Sequence, residues 1–347
     1  MKEKVTGRQY TMNILNGISL GVVVALLPSA LVGQLMQAIQ GSFPVAGQII
    51  MMTSFAMSLL PAIAAFCVGM QFKLNPIQIS AVAIAAMIGS GVMSSKNGQF
   101  ILQGTGDIIN TGVTIALAVG LALVLGNKFK NYTILLLPLL VIVVAGGVGL
   151  LLLPSVRMIA ASIGAVITHV TSLQPLLMGT LMGISFAVLI VSPISSVGIA
   201  TAIGLAGISS GTANLGITAG SFMLAVYGSS VNHLGTTLAH FIGSPKIQMG
   251  NMLQKPRLFI PLAINAGIMG FIGAIFEIKG TPMSAGFGFS GLIGPLTAYH
   301  QMTGTIANFI IICVLFVVLP VILAYVSKYL FIDRLRWIEP RDLLLEI

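Results

Sequence analysis

The sequence predicts an all-α polytopic membrane protein with about eight to ten transmembrane helices and two re-entrant or broken-helix segments in its C-terminal half. Three observations carry that prediction. The 347 residues are 56% hydrophobic and only 7% charged, where a soluble domain carries about 25% charge. Apolar runs of roughly 20 residues recur along the chain, the length that a hydrocarbon layer of about 30 Å requires of a spanning helix. Two further apolar stretches are interrupted by glycine, proline and serine yet remain hydrophobic enough to enter the bilayer. A β-barrel would show alternating segments of about ten residues instead, and none is found.

The elements follow in order. The basic start leads into an apolar run too long for a signal-peptide core and without a clear cleavage site, so it reads as a retained first span over 12–39. Spans over 46–70, 76–93, 108–125 and 133–154 follow. Residues 157–174 are more amphipathic and shorter, and either lie along the interface or cross at a slant. A later span covers 258–278. Basic residues orient the chain. Lys2, Lys4 and Arg8 put the N-terminus inside, Lys73 falls inside after two spans, and Lys128 with Lys130 after four. Lys255 and Arg257 mark another inner loop, and Lys328, Arg334, Arg336 and Arg341 place the C-terminus inside, so the number of crossings is even. Residues 332–347 form a short cytoplasmic tail, whose single Trp337 suits the headgroup level. The net charge of +9 reflects these inner-loop cations, not an anionic partner. Cys67 and Cys313 lie within apolar runs and read as packed thiols.

The interrupted stretches are "SPISSVGIATAIGLAGISSGTANLG" (192–216) and "GTPMSAGFGFSGLIGPL" (280–296). Irregular backbone survives at membrane depth only where protein covers it or where it lines a hydrated cavity. Paired Gly/Pro-broken segments are a sequence pointer to a transporter's binding site. A half-helix beginning inside the membrane aims free N–H groups and the positive end of its dipole at the cavity. Ser195, Ser196, Thr281, Ser284 and Ser290 add hydroxyls, a set suited to a polyol or an anionic group. The competing reading is close helix packing, for which Gly286, Ser290 and Gly294 have the small-xxx-small spacing.

Away from the termini the only acidic residues are Asp107 and Glu277. Carboxylates near membrane depth are costly and are functional candidates. Glu277 directly precedes the second broken stretch, where it either binds a sugar hydroxyl or a proton, or stands as an interfacial carboxylate beside Lys279. Asp107, in "GTGDIINTG", reads as a helix N-cap in preference to a solute contact. His233 and His240 are seven apart and would share a face on one helix, with Asn232, Thr236 and Thr237 around them. His240 also leads into the break at Gly243, Ser244 and Pro245. No metal-ligand spacing, nucleotide-binding loop, catalytic triad or aromatic-interleaved basic surface occurs, so no metal, cofactor or nucleic acid is expected.

The broken stretches, together with "FIGSPKIQMGNMLQKPRLFIPLAINAGIMGFIGAIFEIKG" between them and with "GTGDIINTG", resemble the stand-alone enzyme IIC-like membrane proteins of the bacterial sugar phosphotransferase system. Among these the resemblance is to the perfringolysin-regulator-like branch, and it is sharpest over 192–296. It implies a permease of the bacterial cell membrane, usually dimeric. A scaffold and dimerisation half would cover 1–155, and a transport half over 156–331 would fold two re-entrant hairpins around the solute. In sugar-translocating members a histidine and a glutamate bind the sugar and assist phosphorylation by a IIB partner. Here these map to His240 or His233 and to Glu277, with "IKGTP" after the glutamate in place of the Gly-Ile-Thr-Glu type motif. No IIA or IIB domain is fused, so a phosphodonor would be a separate protein. The readings left open are a permease for a small polar solute such as a sugar, a membrane sensor of the same fold, and a transporter that does not phosphorylate its solute.

Overall fold

The computed structural model describes residues 6–126, 128–129, 132–282, 284–302 and 305–345. Lys2, Glu3, Lys4, Lys130 and Glu346 lie outside them. Apart from one short hairpin the described residues are helical or in turns and loops. They divide into two compact units, Met1–Ser29 with Met36–Ile159 and Ala30–Leu35 with Ala160–Ile347. The protein is an all-α polytopic membrane protein. By length and composition five helices can cross a bilayer: Gly7–Ser29, Ile108–Leu125, Thr133–Thr171, Pro256–Ile275 and Ile306–Arg334. A bent pair makes a sixth, and Pro76–Gly89 and Pro175–Ile190 are shorter apolar helices.

In the first unit, α1 (Gly7–Ile39) starts where the Thr6 hydroxyl accepts the Gln9 N–H. Helices α2 (Ala46–Ser58) and α3 (Leu60–Gln71) meet at 51°, so the span predicted over 46–70 is two helices. Pro61, in the first turn of α3, has no N–H with which to continue the ladder of α2. A Cβ at Gly17 or Gly21 would overlap the backbone of Val68 or Ala64, which is how α1 packs closely on α3. The reciprocal Asn75 and Gln78 cap opens α4 (Pro76–Gly89). This helix ends four residues short of Met93, correcting the span predicted over 76–93. Met93–Lys96 (β1) and Gln99–Leu102 (β2) instead pair antiparallel. Asn97 and Gly98, at φ 52° and 77°, turn between them as the right-handed strand twist favours. The Asp107 carboxylate accepts the Asn110 N–H at 2.8 Å and caps α5 (Ile108–Leu125), as the sequence predicts.

Residues 133–171 then form one helix of 39 residues: α6 (Thr133–Leu140), a π-turn over Val141–Gly146, and α7 (Gly147–Thr171). At 1.5 Å per residue it is about 58 Å long. This corrects the separate segment expected over 157–174. Pro138 and Pro154 lie inside the helix without ending it. Spanning helices tolerate proline because local π adjustments and neighbours satisfy the freed backbone groups, and the π-turn begins three residues after Pro138. The wholly buried Asn110 donates to the Gly89 and Gly149 carbonyls, joining α4, α5 and α7.

The second unit contains α8 (Pro175–Ile190), α9 (Ser196–Ala202), α10 (Gly207–Gly228), α11 (Leu234–Leu238), α12 (Met249–Gln254), α13 (Phe259–Ile275), α14 (Ile293–Gln301), α15 (Ile306–Cys313) and α16 (Leu319–Lys328). Its centre is α10, packed against α8, α13 and α16. Every residue of α10 except Gly207, Ile208 and Val226 is buried. Small residues allow the approach: a Cβ at Gly216 would overlap Gly183 of α8, and one at Gly270 of α13 would overlap the Gly179 carbonyl. Most hydroxyls of α10 are satisfied within the helix, Thr212 by the Ile208 carbonyl at 2.9 Å, Thr218 by Asn214 at 2.8 Å and Ser221 by Ile217 at 2.8 Å. Ser210 and Asn214 are different, because they reach out of the helix.

Candidate functional site: two interlocked broken segments

What Ser210 and Asn214 reach is the second broken stretch. The Ser210 hydroxyl donates to the Thr281 carbonyl at 2.9 Å, and the Asn214 side-chain oxygen accepts the Gly288 N–H at 3.0 Å. Gly207 and Gly280 exchange two backbone hydrogen bonds of 3.0 Å as an isolated antiparallel bridge. Ser196, at the start of α9, donates to the Gly286 carbonyl at 2.9 Å. Four points therefore bind 196–214 to 280–288. Side chains of α9 and α10 thus satisfy the Thr281 and Gly286 carbonyls and the Gly288 N–H of the second break, and Gly207 and Gly280 satisfy one another, as burial demands.

The glycine stretch fits because it lacks side chains. Gly286 has φ 93°, and a Cβ there would stand 2.7 Å from the Val197 nitrogen. Gly288 has φ 63°, and its Cβ would overlap Ile217. Glycine alone supplies both the backbone angle and the close approach. Thr281 and Ser284 cap one another: the Ser284 hydroxyl accepts the Thr281 N–H at 3.0 Å, and the Thr281 hydroxyl accepts the Ser284 N–H at 3.2 Å. Ser284 and Ser196 are buried, while Ser195 is half-buried and accepts the Gly198 N–H at 3.0 Å. Phe289 joins Phe222 of α10 and Phe241 in an aromatic cluster with ring centroids 4.5–6.1 Å apart.

The histidines lie elsewhere in the unit. Instead of one helix with a shared face, the chain makes α11 and then a π-turn over Ala239–Gly243. His233 precedes α11 and is exposed, whereas His240 is wholly buried. This corrects the shared-face expectation: His233 has extended backbone angles and stands outside the helix. The His240 Nδ1–H donates to the Thr236 carbonyl at 2.8 Å, and its Nε2 accepts from the Gln248 amide at 3.0 Å. That amide also donates to the Leu343 carbonyl at 2.9 Å. Asn232 donates to the same carbonyl at 2.9 Å and accepts the Leu345 N–H at 2.9 Å, while Asn251 donates to the Leu344 carbonyl at 2.9 Å. His240, Asn232 and Thr236 thus belong to a frame that grips the C-terminal strand of chain. Next to it the Asp342 carboxylate meets Lys255 at 3.2 Å and Arg257 at 2.5 Å.

Glu277 is exposed at φ 48°. It terminates α13 in a Schellman turn, in which the Ile278 N–H bonds the Gly273 carbonyl at 2.9 Å and the Glu277 N–H bonds that of Ala274 at 3.2 Å. Asp107 belongs to the other unit. Among the described residues no three His, Cys, Asp or Glu side chains group as a metal site.

Lys246 is a functional candidate that sequence reasoning misses. It stands in a 3-10 turn, Pro245–Gln248, and is only 3% exposed. Its ammonium donates to the carbonyls of Ser192, at 2.5 Å, and of Ile194, at 3.0 Å. It is the only buried lysine or arginine among the described residues, and no carboxylate among them pairs with it. The sequence does hold a signal: a lone lysine between apolar flanks in "FIGSPKIQMG", set apart from the Lys255 and Arg257 pair that marks the inner loop.

These features define a multi-pass membrane protein whose C-terminal unit is organised around two mutually satisfied breaks. The chain belongs to the EIIC family of the phosphotransferase system, whose family model matches residues 12–345. It is accordingly a membrane permease component of a sugar transport system. No curated protein matches the chain.

Proposed function

We propose that the chain carries a small polar solute, a sugar or a related compound, across the membrane by alternating access, with the solute held where the two broken segments meet. The observation that carries this reading is the interlock of Ser196 with Gly286, Ser210 with Thr281 and Asn214 with Gly288. Two breaks that satisfy one another form a unit that can shift together and expose polar backbone to a solute. Ser195, Ser196, Thr281, Ser284 and the backbone at Gly286 are the direct contacts in this proposal. The exposed Glu277 stands three residues before the Gly207–Gly280 bridge and is available to solute hydroxyls. His240, Asn232, Thr236 and His233 act from the neighbouring frame.

In the same proposal both termini are cytoplasmic, residues 192–216 and 280–296 re-enter the bilayer, and the 1–155 half serves as scaffold in a homodimer. A separate IIA/IIB pair phosphorylates the solute. The specific elements "GNMLQKPRLFIP" and "GTPMSAGFGFSGLIGP" support a place in the perfringolysin-regulator-like branch. Uptake of a panel of labelled sugars into vesicles, with and without cytosolic phosphocarriers, tests the reading. The expected result is accumulation of at least one sugar, as its phosphate only when the carriers are present, and loss of that accumulation in Ser196→Ala with Ser284→Ala. Accumulation of unmodified sugar in both conditions would favour the non-phosphorylating transporter. A sugar that raises the melting temperature but never crosses would replace the permease with a sensor.

A further inference from the structure

Lys246 lies at the hinge of the site. Helix α8 ends at Ile190, and the backbone stays unwound until α9 begins at Ser196. The two carbonyls that hold the Lys246 amine, Ser192 and Ile194, come from that unwound turn. Two residues further on, Ser196 makes the bond to Gly286. The amine is therefore linked through one short stretch of backbone to the contact between the breaks. Unwound carbonyls at the C-terminal end of a half-helix are where transporters hold a coupling cation, and the negative end of the α8 dipole favours a positive charge there. Here a side chain of the protein supplies that charge.

We propose that Lys246 is a proton-operated tie on the broken segment that carries Ser195 and Ser196. As an ammonium it holds the Ser192 and Ile194 carbonyls in place. As a neutral amine, its proton passed to water, it lets that turn move. Ammonium hydrogen bonds are roughly twice as strong as neutral ones, so the grip changes with the proton. The Pro245–Gln248 turn lies outside the membrane-spanning helices, and burial pushes the amine down to about 7.

Few other groups titrate nearby. The turn packs against the Ala239–Gly243 turn, α12 and α10. Their titratable groups are His240, with both ring nitrogens bonded, and Tyr227 of α10, bonded to Ser327 at 2.6 Å. Helix α12 has none, nor has α8, which precedes the held carbonyls. The consequence for transport, a proton exchanged in each solute cycle, rests on the proposed function. The tie itself does not.

The test therefore uses the full chain without solute. Thr201 is exposed on α9, and its hydroxyl bonds only to the Val197 and Gly198 carbonyls of that helix. Thr201→Cys, in a background of Cys67→Ser and Cys313→Ser, takes an environment-sensitive fluorophore, and its emission is followed from about pH 5 to about pH 9. The expected result is one transition near neutral pH that is absent in Lys246→Met and unchanged in His240→Gln. Lys246→Arg, charged throughout, should hold the low-pH emission at every pH. No transition in the parent, its survival in Lys246→Met, or its loss in His240→Gln would overturn the proposal. If the Met variant does not fold, the Arg variant decides: a flat trace supports the tie and a moving one overturns it. Neither outcome bears on whether sugars cross, so failure of the tie and failure of the permease reading remain separate results.

Discussion

Helix α10 and the long helix over Thr133–Thr171 distribute polarity in opposite ways. The first is rich in Gly, Ser and Thr and is almost entirely buried. The second is rich in Leu and Val and largely exposed within the chain, with Leu151 at 80% and Ile134 at 69%. In water this arrangement would be inverted. In lipid the surroundings are as apolar as leucine, so burial is not driven by hydrophobicity between helices. What selects α10 for the interior is small size, which lets backbones meet, and hydroxyls that bond within the helix. Three polar groups bond outward: Tyr227, whose hydroxyl pairs with Ser327 of α16, and Ser210 and Asn214, which mark the site.

Substitutions that exchange these properties should break the comparison. The largest effect is expected from Gly216→Val. Its side chain would overlap the backbone of Gly183, which cannot swing aside as a side chain could, and the cost should be about 3 kcal/mol or more. On the long helix a methyl group added at Gly147 would meet nothing within 4 Å, so Gly147→Ala should hold or raise stability. Thermal unfolding of the two variants in the same detergent measures the contrast, and similar losses in both would refute it. Next comes Asn214→Ala, which strands the buried Gly288 N–H at a cost of about 1–3 kcal/mol. Thr218→Val should cost less than Asn214→Ala, because that hydroxyl bonds only to its own helix. Hydrogen exchange over 284–290 should rise in the alanine variant and not in the valine variant.

Whatever follows from local pattern is legible in the sequence. Both broken stretches appear where glycine and proline interrupt an apolar run, and the Asp107 cap follows from its place ahead of α5. The partners of each break are not legible, because Ser196 meets Gly286 across 90 residues and periodicity carries no information at that distance. The Asn97-Gly98 dipeptide is a hairpin signal that the reading of a span over 76–93 passes over, because two four-residue strands are too short to show a period. Pro154 misleads, since proline ends helices in water more firmly than in lipid. Lys246 is hidden by the habit of using lysines as topology markers. The sequence reads 332–347 as no more than a short charged tail, yet Ile338 and Leu343 are buried and Asp342 is paired. Charged residues there predict exposure, whereas their pairing allows burial.

That tail gives a smaller, pH-dependent effect. Burial pushes the Asp342 carboxyl up, but the Glu339 N–H and the cations of Lys255 and Arg257 outweigh it and hold the carboxyl below its ordinary value of 3.8. A carboxylate depressed in the folded state adds stability above the unfolded value and loses it as pH falls through the folded one. Asp342→Asn should therefore cost about 1 kcal/mol at neutral pH. The difference from the parent should close below about pH 4. Melting temperatures of both proteins against pH check this, and a gap that widens in acid would contradict it.

The smallest effect is expected on the long helix, and it sharpens the comparison most. A side chain facing lipid exchanges one apolar neighbour for another when shortened, so Leu151→Ala should change stability by no more than about 0.5 kcal/mol. The same substitution within a protein interface would leave a cavity and cost about 2–5 kcal/mol. Measured in detergent, melting temperature and particle mass together separate the two environments. An unchanged melt and mass place Leu151 against lipid or detergent. A clear destabilisation with a fall to half the mass would mean that a second copy covers this face. Polarity in the two helices would then still be opposed, but the exposed leucines would be an interface and their exposure a property of the isolated chain.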